Sequence, residues 1–355
     1  MLNNNAPLQI HQLQGLGVVV EDIRRSMAEF SRFFGIEEWQ LRRLVTGREF
    51  SITTAAGAPI EATLLWATGG TRNLKFTLIQ PVSGNTIFRA FLDKRGSGVQ
   101  DITTHVLSAA EYDVAIGKLA RDGIKPLQTM RFGDALDLHY LDTVTQLGTL
   151  VNVLVPRRPS GETLQGILVD EVVRFNWPPV AERLDIQKPF HVCVLTQNRR
   201  LSVQEGFRRI FGIESWFEFD NESGVTSSGG TYMGKPANSR FRLACGRREN
   251  FSVEVVEMMF GDNVYQDMLD SKGEGIHHVM TTICDPSHVK SVQKALEPFG
   301  YTIVQDGAAG PIYYGYLAAQ GRIADLAVEV LCPLADNWME GFGEEFWAIL
   351  KGPDY

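Results

Sequence analysis

Four side chains in the second half of this 355-residue chain are of types that bind metal ions, and each stands in an apolar run. His191 opens His191-Val192-Cys193-Val194-Leu195. Glu254 interrupts Phe251-Ser252-Val253-Glu254-Val255-Val256, and Glu329 interrupts Leu326-Ala327-Val328-Glu329-Val330-Leu331. His278 belongs to Gly275-Ile276-His277-His278-Val279-Met280. Short apolar runs of this kind, bounded by turn residues, predict strands. A carboxylate on a buried strand is costly unless it is paired or bound to a cation. Two imidazoles and two carboxylates that converge form an N₂O₂ donor set, suited to divalent Zn, Ni, Co, Mn or Fe with positions left for water or substrate oxygens. The competing reading of the same four residues is a buried charge network.

The elements that must bring them together are written twice. Phe34-Gly35-Ile36-Glu37-Glu38-Trp39 reappears as Phe211-Gly212-Ile213-Glu214-Ser215-Trp216, a shift of 177 residues (212 − 35). The same shift carries Gly84 to Gly261, Leu92 to Leu269, Gly98 to Gly275, Gly123 to Gly300 and Pro156 to Pro333. Turn and core positions that keep register over a whole half indicate one fold duplicated. Within each half a shorter strand–helix–strands unit recurs, with first strands near Gln14, Asp101, His191 and His278. The expected organisation is a first domain over 1–158, a linker over 159–187, a second domain over 188–335 and a C-terminal helix over 336–355. The 177-residue shift maps the quartet back onto Gln14, Thr77, Asp101 and Asn152. One carboxylate and no histidine remain there, so the scaffold does not itself require the ligand set.

Composition sets the frame for any function. Hydrophobic residues make up 44% and charged residues 21%, ordinary values for a globular protein. A net charge of −8 gives no global basic field for nucleic acid or an anionic membrane. No apolar run approaches the ~20 residues of a membrane span. Met1 to Pro7 has neither the basic start nor the apolar core of a signal peptide. Cys193, Cys245, Cys284 and Cys332 form no Cys-x-x-Cys pair, which argues against a disulfide framework or a thiolate zinc site. A cytoplasmic protein with a small-molecule substrate, acting as monomer or homodimer, is the expectation.

The chain resembles the vicinal oxygen chelate superfamily, which includes glyoxalase I, methylmalonyl-CoA epimerase, the extradiol dioxygenases and 4-hydroxyphenylpyruvate dioxygenase. The resemblance covers nearly the whole chain. It rests on the paired modules, the Phe-Gly closing each first helix, and the strand starts at Gly96/Gly98 and Gly273/Gly275. It implies an α+β fold of four βαβββ modules paired into two glyoxalase-like domains, with one divalent metal held by the first and last strands of a module pair. Those positions fall on His191, Glu254, His278 and Glu329. This set is similar to that of glyoxalase I and implies a lyase or isomerase that transfers a proton beside a chelated oxygen pair, with Glu254 or Glu329 as the base. A ligand-free first half before a metal-binding second half resembles the dioxygenases instead, as does a C-terminal helix opened by Gly341-Phe342-Gly343. Those enzymes imply an Fe(II) site of His191, His278 and Glu329 without a carboxylate at position 254. A third alternative is a metal-free sequestering protein of the bleomycin-resistance kind.

Other residues receive structural expectations. His277 alternates to the far face of the strand from His278 and reads as structural. His11, His105 and His139 read as core or surface. Tyr313, Tyr314, Tyr316 and Arg322 stand near the last strands, where packing and substrate contact are both open. Arg240, Arg242 and Arg247 read as anion holders or as solvated strand-edge charges. The Gly/Ser-rich stretch 224–238 is expected to be a loop that covers the site.

Overall fold

The structure, a computed structural model, describes residues 6–8, 10, 13–48, 50–157, 169–176, 186, 191–283, 285–318 and 323–334. The expected C-terminal helix over 336–355, most of the linker, His11, Cys284 and Arg322 lie outside them.

The first half runs β1 (Gly15–Val19), α1 (Ile23–Phe34), β2 (Glu38–Val45), β3 (Ser51–Thr54), β4 (Pro59–Ile60), β5 (Thr63–Gly70), β6 (Lys75–Ser83), α2 (Ile87–Arg95), β7 (Gly98–Val106), α3 (Ala109–Leu119), β8 (Pro126–Phe132), β9 (Leu136–Leu141), α4 (Val144–Leu147) and β10 (Leu150–Pro156). A further strand, β11 (Glu171–Arg174), pairs with β2. The second half runs β12 (His191–Thr196), α5 (Arg200–Phe211), β13 (Trp216–Glu222), β14 (Ser227–Tyr232), β15 (Lys235–Pro236), β16 (Ser239–Arg248), β17 (Phe251–Gly261), α6 (Val264–Ser271), β18 (Gly275–Ile283), α7 (Pro286–Leu296), β19 (Thr302–Ala309), β20 (Ile312–Ala318) and β21 (Ala327–Pro333).

These strands form two mixed sheets with matching order. The first reads β11-β2-β5-β6-β1-β7-β10-β9-β8-β3-β4 and the second β13-β16-β17-β12-β18-β21-β20-β19-β14-β15. Each sheet is two βαβββ units joined at the antiparallel seam β1–β7 or β12–β18. The fold is therefore α+β, two vicinal-oxygen-chelate domains of two modules each. The helices start and stop where the sequence signals them. Asp22 caps α1 through the Arg24 and Arg25 amides, and Gly35 closes it at φ 71°. Gly212 closes α5 in the same left-handed conformation.

Alternation along the strands separates two kinds of core. Val192 and Val194 of β12, Val253 and Val255 of β17, and Val328 and Val330 of β21 join a core shared with the first half through α1 and α5. Cys193, Leu195, Val256, Met258, Met280 and Leu331, on the opposite faces, line the interior of the second sheet. The first sheet has its own interior, filled by Phe50, Trp66, Phe88, Phe132 and Tyr140.

Two expectations need correction. The stretch 224–238 is not a free covering loop: β14 and β15 form a hairpin, and β14 adds to the sheet beside β19. In the first half β3 and β4 likewise form a hairpin, with β3 paired to β8. In both cases a partner strand distant in sequence supplies the pairing that Gly- and Ser-rich composition does not announce. Finally, β1 pairs Gly15 with Lys75 and β12 pairs His191 with Ser252, so Gly15 rather than Gln14 occupies the position of His191.

Candidate metal centre

His191, Glu254, His278 and Glu329 stand on β12, β17, β18 and β21, the four central strands of the second sheet. On a flat sheet such strands would spread their side chains over about 14 Å. Here one ligand atom from each lies within 4.8 Å of the others, so the sheet curls and the four meet on its concave face. His191 Nε2 lies 2.9 Å from Glu329 Oε2 and 3.9 Å from Glu254 Oε2. His278 Nε2 lies 3.2 Å from Glu254 Oε2 and 3.3 Å from Glu329 Oε2. The two Nε2 atoms are 3.2 Å apart. None of the four residues is more than 4% exposed, so their charges are settled among themselves.

The donor set fits a divalent cation. Bonds of about 2.0–2.2 Å at roughly right to tetrahedral angles separate neighbouring donors by about 3–3.5 Å, close to the distances found. The Oε2 atoms of Glu254 and Glu329 are buried without a well-directed hydrogen bond, though both face imidazole nitrogens. Burial by itself would lower the His278 imidazolium, but the carboxylates of Glu254 and Glu329 push it up to about 9. Burial opposes ionisation of Glu329, and His191 and His278 outweigh it, holding the carboxyl well below its usual range. Cys193 and Cys245 lie next to the quartet, but burial first and the glutamates second push both thiols well above their usual value. They stay neutral, and the donor set is N and O rather than S.

A layer of contacts orients the quartet. Tyr316, paired across the ladder with Glu329, donates its hydroxyl to Glu329 Oε1 at 2.9 Å. The Tyr265 hydroxyl of α6 meets that of Tyr316 at 2.6 Å. The Cys245 thiol is the contact of Glu254 Oε1, at 3.9 Å. His277 Nδ1 lies 2.9 Å from His278 Nδ1, and His277 Nε2 lies 3.1 Å from the carbonyl oxygen of Val264. No signal in the sequence points to Tyr265 or to the contact that Cys245 makes. Tyr316 is among the residues near the last strands, but only the ladder register pairs it with Glu329.

His191, Glu254 and Glu329 border a cavity of about 70 Å³, walled by Phe217, Phe219, Phe241, Tyr314 and Tyr316 with Asn221 at its side. The remaining candidates lie elsewhere. Arg240 and Arg242 pair with Asp220, and the Arg247 Nε donates to the Glu249 carbonyl. His105 stacks on Phe211 and His139 on Tyr112. Tyr313 donates to Asp306.

The first sheet shows what the same place looks like without the ligands. Gly15, Thr77, Asp101 and Asn152 stand at the equivalent register positions. Both oxygens of Asp101 are buried without a partner, as are Asn152 Oδ1 and the Tyr140 hydroxyl. The Asp101 carboxylate folds over Gly17, where a Cβ would come within 2.0 Å of its Oδ2.

Comparison with known proteins agrees with this architecture. Residues 14–140 match the sequence model of the Glyoxalase/Bleomycin resistance protein/Dioxygenase superfamily. No curated protein matches the sequence. Among solved structures, a mutant of 4-hydroxymandelate synthase from Streptomyces coelicolor aligns over 95% of this chain and 98% of its own, with a TM-score of 0.53 and 10% identity. The Mn(II)-bound glyoxalase from Novosphingobium aromaticivorans aligns over 92% of this chain and 83% of its own, with a TM-score of 0.46 and 10% identity. Residues 14–140 thus match the model of that superfamily, and the second half of the chain repeats the strand order of the first.

Proposed function

We propose that this chain is an enzyme that uses a divalent cation held by His191, Glu254, His278 and Glu329 to move a proton next to a pair of oxygens on a small carbonyl or acyl substrate. The observation that carries the reading is the convergence of four buried donors whose two Oε2 atoms accept no directed hydrogen bond. A bound cation would supply Lewis acidity, drawing electron density from a substrate carbonyl and making the neighbouring C–H acidic.

The two glutamates then differ in what they can do. Glu329 is tied through Oε1 to the Tyr316 hydroxyl, and that hydroxyl to Tyr265. Its geometry is fixed, which suits a permanent ligand. Glu254 instead meets two thiols, that of Cys245 at 3.9 Å from Oε1 and that of Cys193, both weak donors. It is the carboxylate with freedom to take a proton from substrate carbon and return it to a neighbouring atom, and we assign it the role of base. The aromatic wall of the adjoining cavity keeps water from the exchanging proton.

Protein purified without chelator should carry a divalent ion, and in D₂O it should catalyse deuterium exchange at carbon next to the carbonyl of small hydroxyketones or aldehydes. Glu254→Ala should lower that exchange by about a hundredfold or more. Metal-loaded protein that exchanges no such proton across a carbonyl panel would count against the reading.

A second reading has its own support. His191, His278 and Glu329 alone form a two-histidine, one-carboxylate set of the kind that serves non-haem Fe(II) oxygenases. The two-domain fold is also shared over nearly its full length with a 4-hydroxymandelate synthase mutant. Iron in the purified protein, oxygen uptake with aromatic substrates, and turnover that survives Glu254→Ala would select this reading over the first.

A further inference from the structure

His278 is held by more than its own strand. The pairing of β12 with β18 slips between Cys193 and Val194: Cys193 faces His278 while Val194 faces Ile276. His277 is therefore the extra residue of a β-bulge, a device that re-aims side chains and recurs beside functional sites. The bulge cancels the usual alternation and lets two successive imidazoles meet, Nδ1 to Nδ1. The other nitrogen of His277 faces the carbonyl oxygen of Val264, the first residue of α6.

Hydrogen-bond bookkeeping fixes the protons. A carbonyl oxygen only accepts, so His277 Nε2 carries a hydrogen. An imidazolium at His277, 5% exposed, would have both N–H groups spent on a carbonyl and an imidazole, with no carboxylate to neutralise it. The ring is neutral and its Nδ1 accepts. The proton between the two rings then sits on His278 Nδ1, which makes Nε2 the nitrogen left for the point where the quartet meets, where a cation would displace its proton. His191 has no such partner, because its Nδ1 is buried without a hydrogen bond.

The duplication supplies a control. The first sheet has the same slip, between Gly17 and Val18, and Gln100 is its extra residue. Gln100 Nε2 donates to the carbonyl of Ile87, the first residue of α2, at 3.0 Å. Both copies thus tie the bulge to the start of a helix. In the first copy the tie stops there: Gln100 Oε1 and both oxygens of the neighbouring Asp101 have no partner. Anchoring the helix needs only a donor. The ring at position 277 does a second thing.

We propose that His277 is a positioning residue for the metal centre: held by the Val264 carbonyl, it fixes His278 as the Nδ1–H tautomer and presents its Nε2 lone pair to the cation. This rests on the quartet binding a divalent ion. The test is Co²⁺ and Zn²⁺ affinity, by competition with a chromophoric chelator, with the visible spectrum of the Co²⁺ form as second readout. His277→Gln keeps a donor for Val264, as the first copy does with Gln100, and takes the acceptor away from the place of Nδ1, as the unpartnered Gln100 Oε1 shows. It should weaken both metals about 10–100-fold, as loss of an outer partner of a ligating histidine does, and alter the Co²⁺ bands. The metal-free thermal midpoint should stay at the wild-type value. His277→Asn places an oxygen where Nδ1 stood and should recover most of the affinity. Equal affinity in wild type and His277→Gln would overturn the proposal, as would equal losses in both variants together with a lowered metal-free midpoint. Wild-type protein that binds neither ion would instead remove the metal reading itself.

Discussion

At the scale of single residues, the two copies turn on what stands beside the seam of each sheet. His278 in the second copy has two carboxylates to face, whereas Asp101 in the first has none, and burial pushes its carboxyl up to about 7 from an ordinary 3.8. The consequence for stability has a definite sign. Between those values the folded chain binds a proton that the unfolded chain has released, so stability falls as pH rises from about 4 to 7 and levels off above. Each tenfold difference in proton affinity between the folded and unfolded chain is worth about 1.4 kcal/mol, which makes the loss on the order of a few kcal/mol at neutral pH. Asp101→Asn removes the titration at nearly constant shape. Its thermal midpoint should exceed that of the wild type at pH 8 and approach it near pH 4. Parallel midpoints for the two proteins across that range would refute the assignment. The sequence exposed the residues that break a pattern, such as Glu254 and Glu329 in runs of valine and leucine. It could not expose Tyr316, Tyr265 or His277, because aromatic and imidazole side chains on strands and short helices are ordinary packing until a ladder register or a bulge shows which atom they touch.

At the scale of elements, α6 does more for the site than its length suggests. Its first residue offers the carbonyl that holds His277, and its second carries the hydroxyl that meets Tyr316. The start of the helix is itself pinned. Asn263 is fully buried, and its side chain accepts from the Tyr265 and Gln266 amides, while Gln305 of β19 accepts from the Val264 amide. Asn263→Ala should cost about 1 kcal/mol of stability, the usual worth of an N-cap. Because both orienting contacts leave from the next two residues, it should also weaken divalent-metal binding, which an ordinary capping loss elsewhere would not do. The first half holds a matched control in the cap of α1, whose Asp22 side chain likewise accepts from two amides. Asp22→Ala should lower the midpoint and leave metal affinity unchanged. Affinity that is the same for Asn263→Ala and Asp22→Ala would show that α6 does not hold the site. The sequence marks α1 plainly, with Asp22 at its cap and apolar residues at helical spacing, whereas α2 and α6 are too short for a clear period. The hairpins β3–β4 and β14–β15 escaped for a related reason: their pairing is decided by β8 and β19, distant partners that local composition does not reveal.

At the scale of the whole molecule, the duplicated halves are built into each other. Phe33 of α1 packs on Tyr301 with ring centroids 4.9 Å apart, and Glu29 accepts from the Ile323 amide. On the opposite side α5 packs on α4, Arg209 pairs with Asp122, and Arg199 donates to the Thr145 carbonyl. Residues of both halves share one apolar core. The 177-residue shift made the duplication legible, but a shift records that two units are alike and carries no information on how they dock. The docking has a sharp test in Gly206, which lies inside α5 where alanine would ordinarily be favoured by about 1 kcal/mol. Here a Cβ would come within 2.1 Å of the Gln146 carbonyl oxygen at the end of α4. Relieving that clash means moving one half against the other, an overpacking that costs typically about 1–3 kcal/mol. Gly206→Ala should therefore destabilise the chain, reversing the sign that helix propensity alone gives. It should do so through one cooperative transition that reports both halves together, because the core on either side of the contact is continuous. A stabilised variant, or a transition that splits into two with only the later half shifted, would mean that the halves fold as independent bodies and that the shared core contributes little.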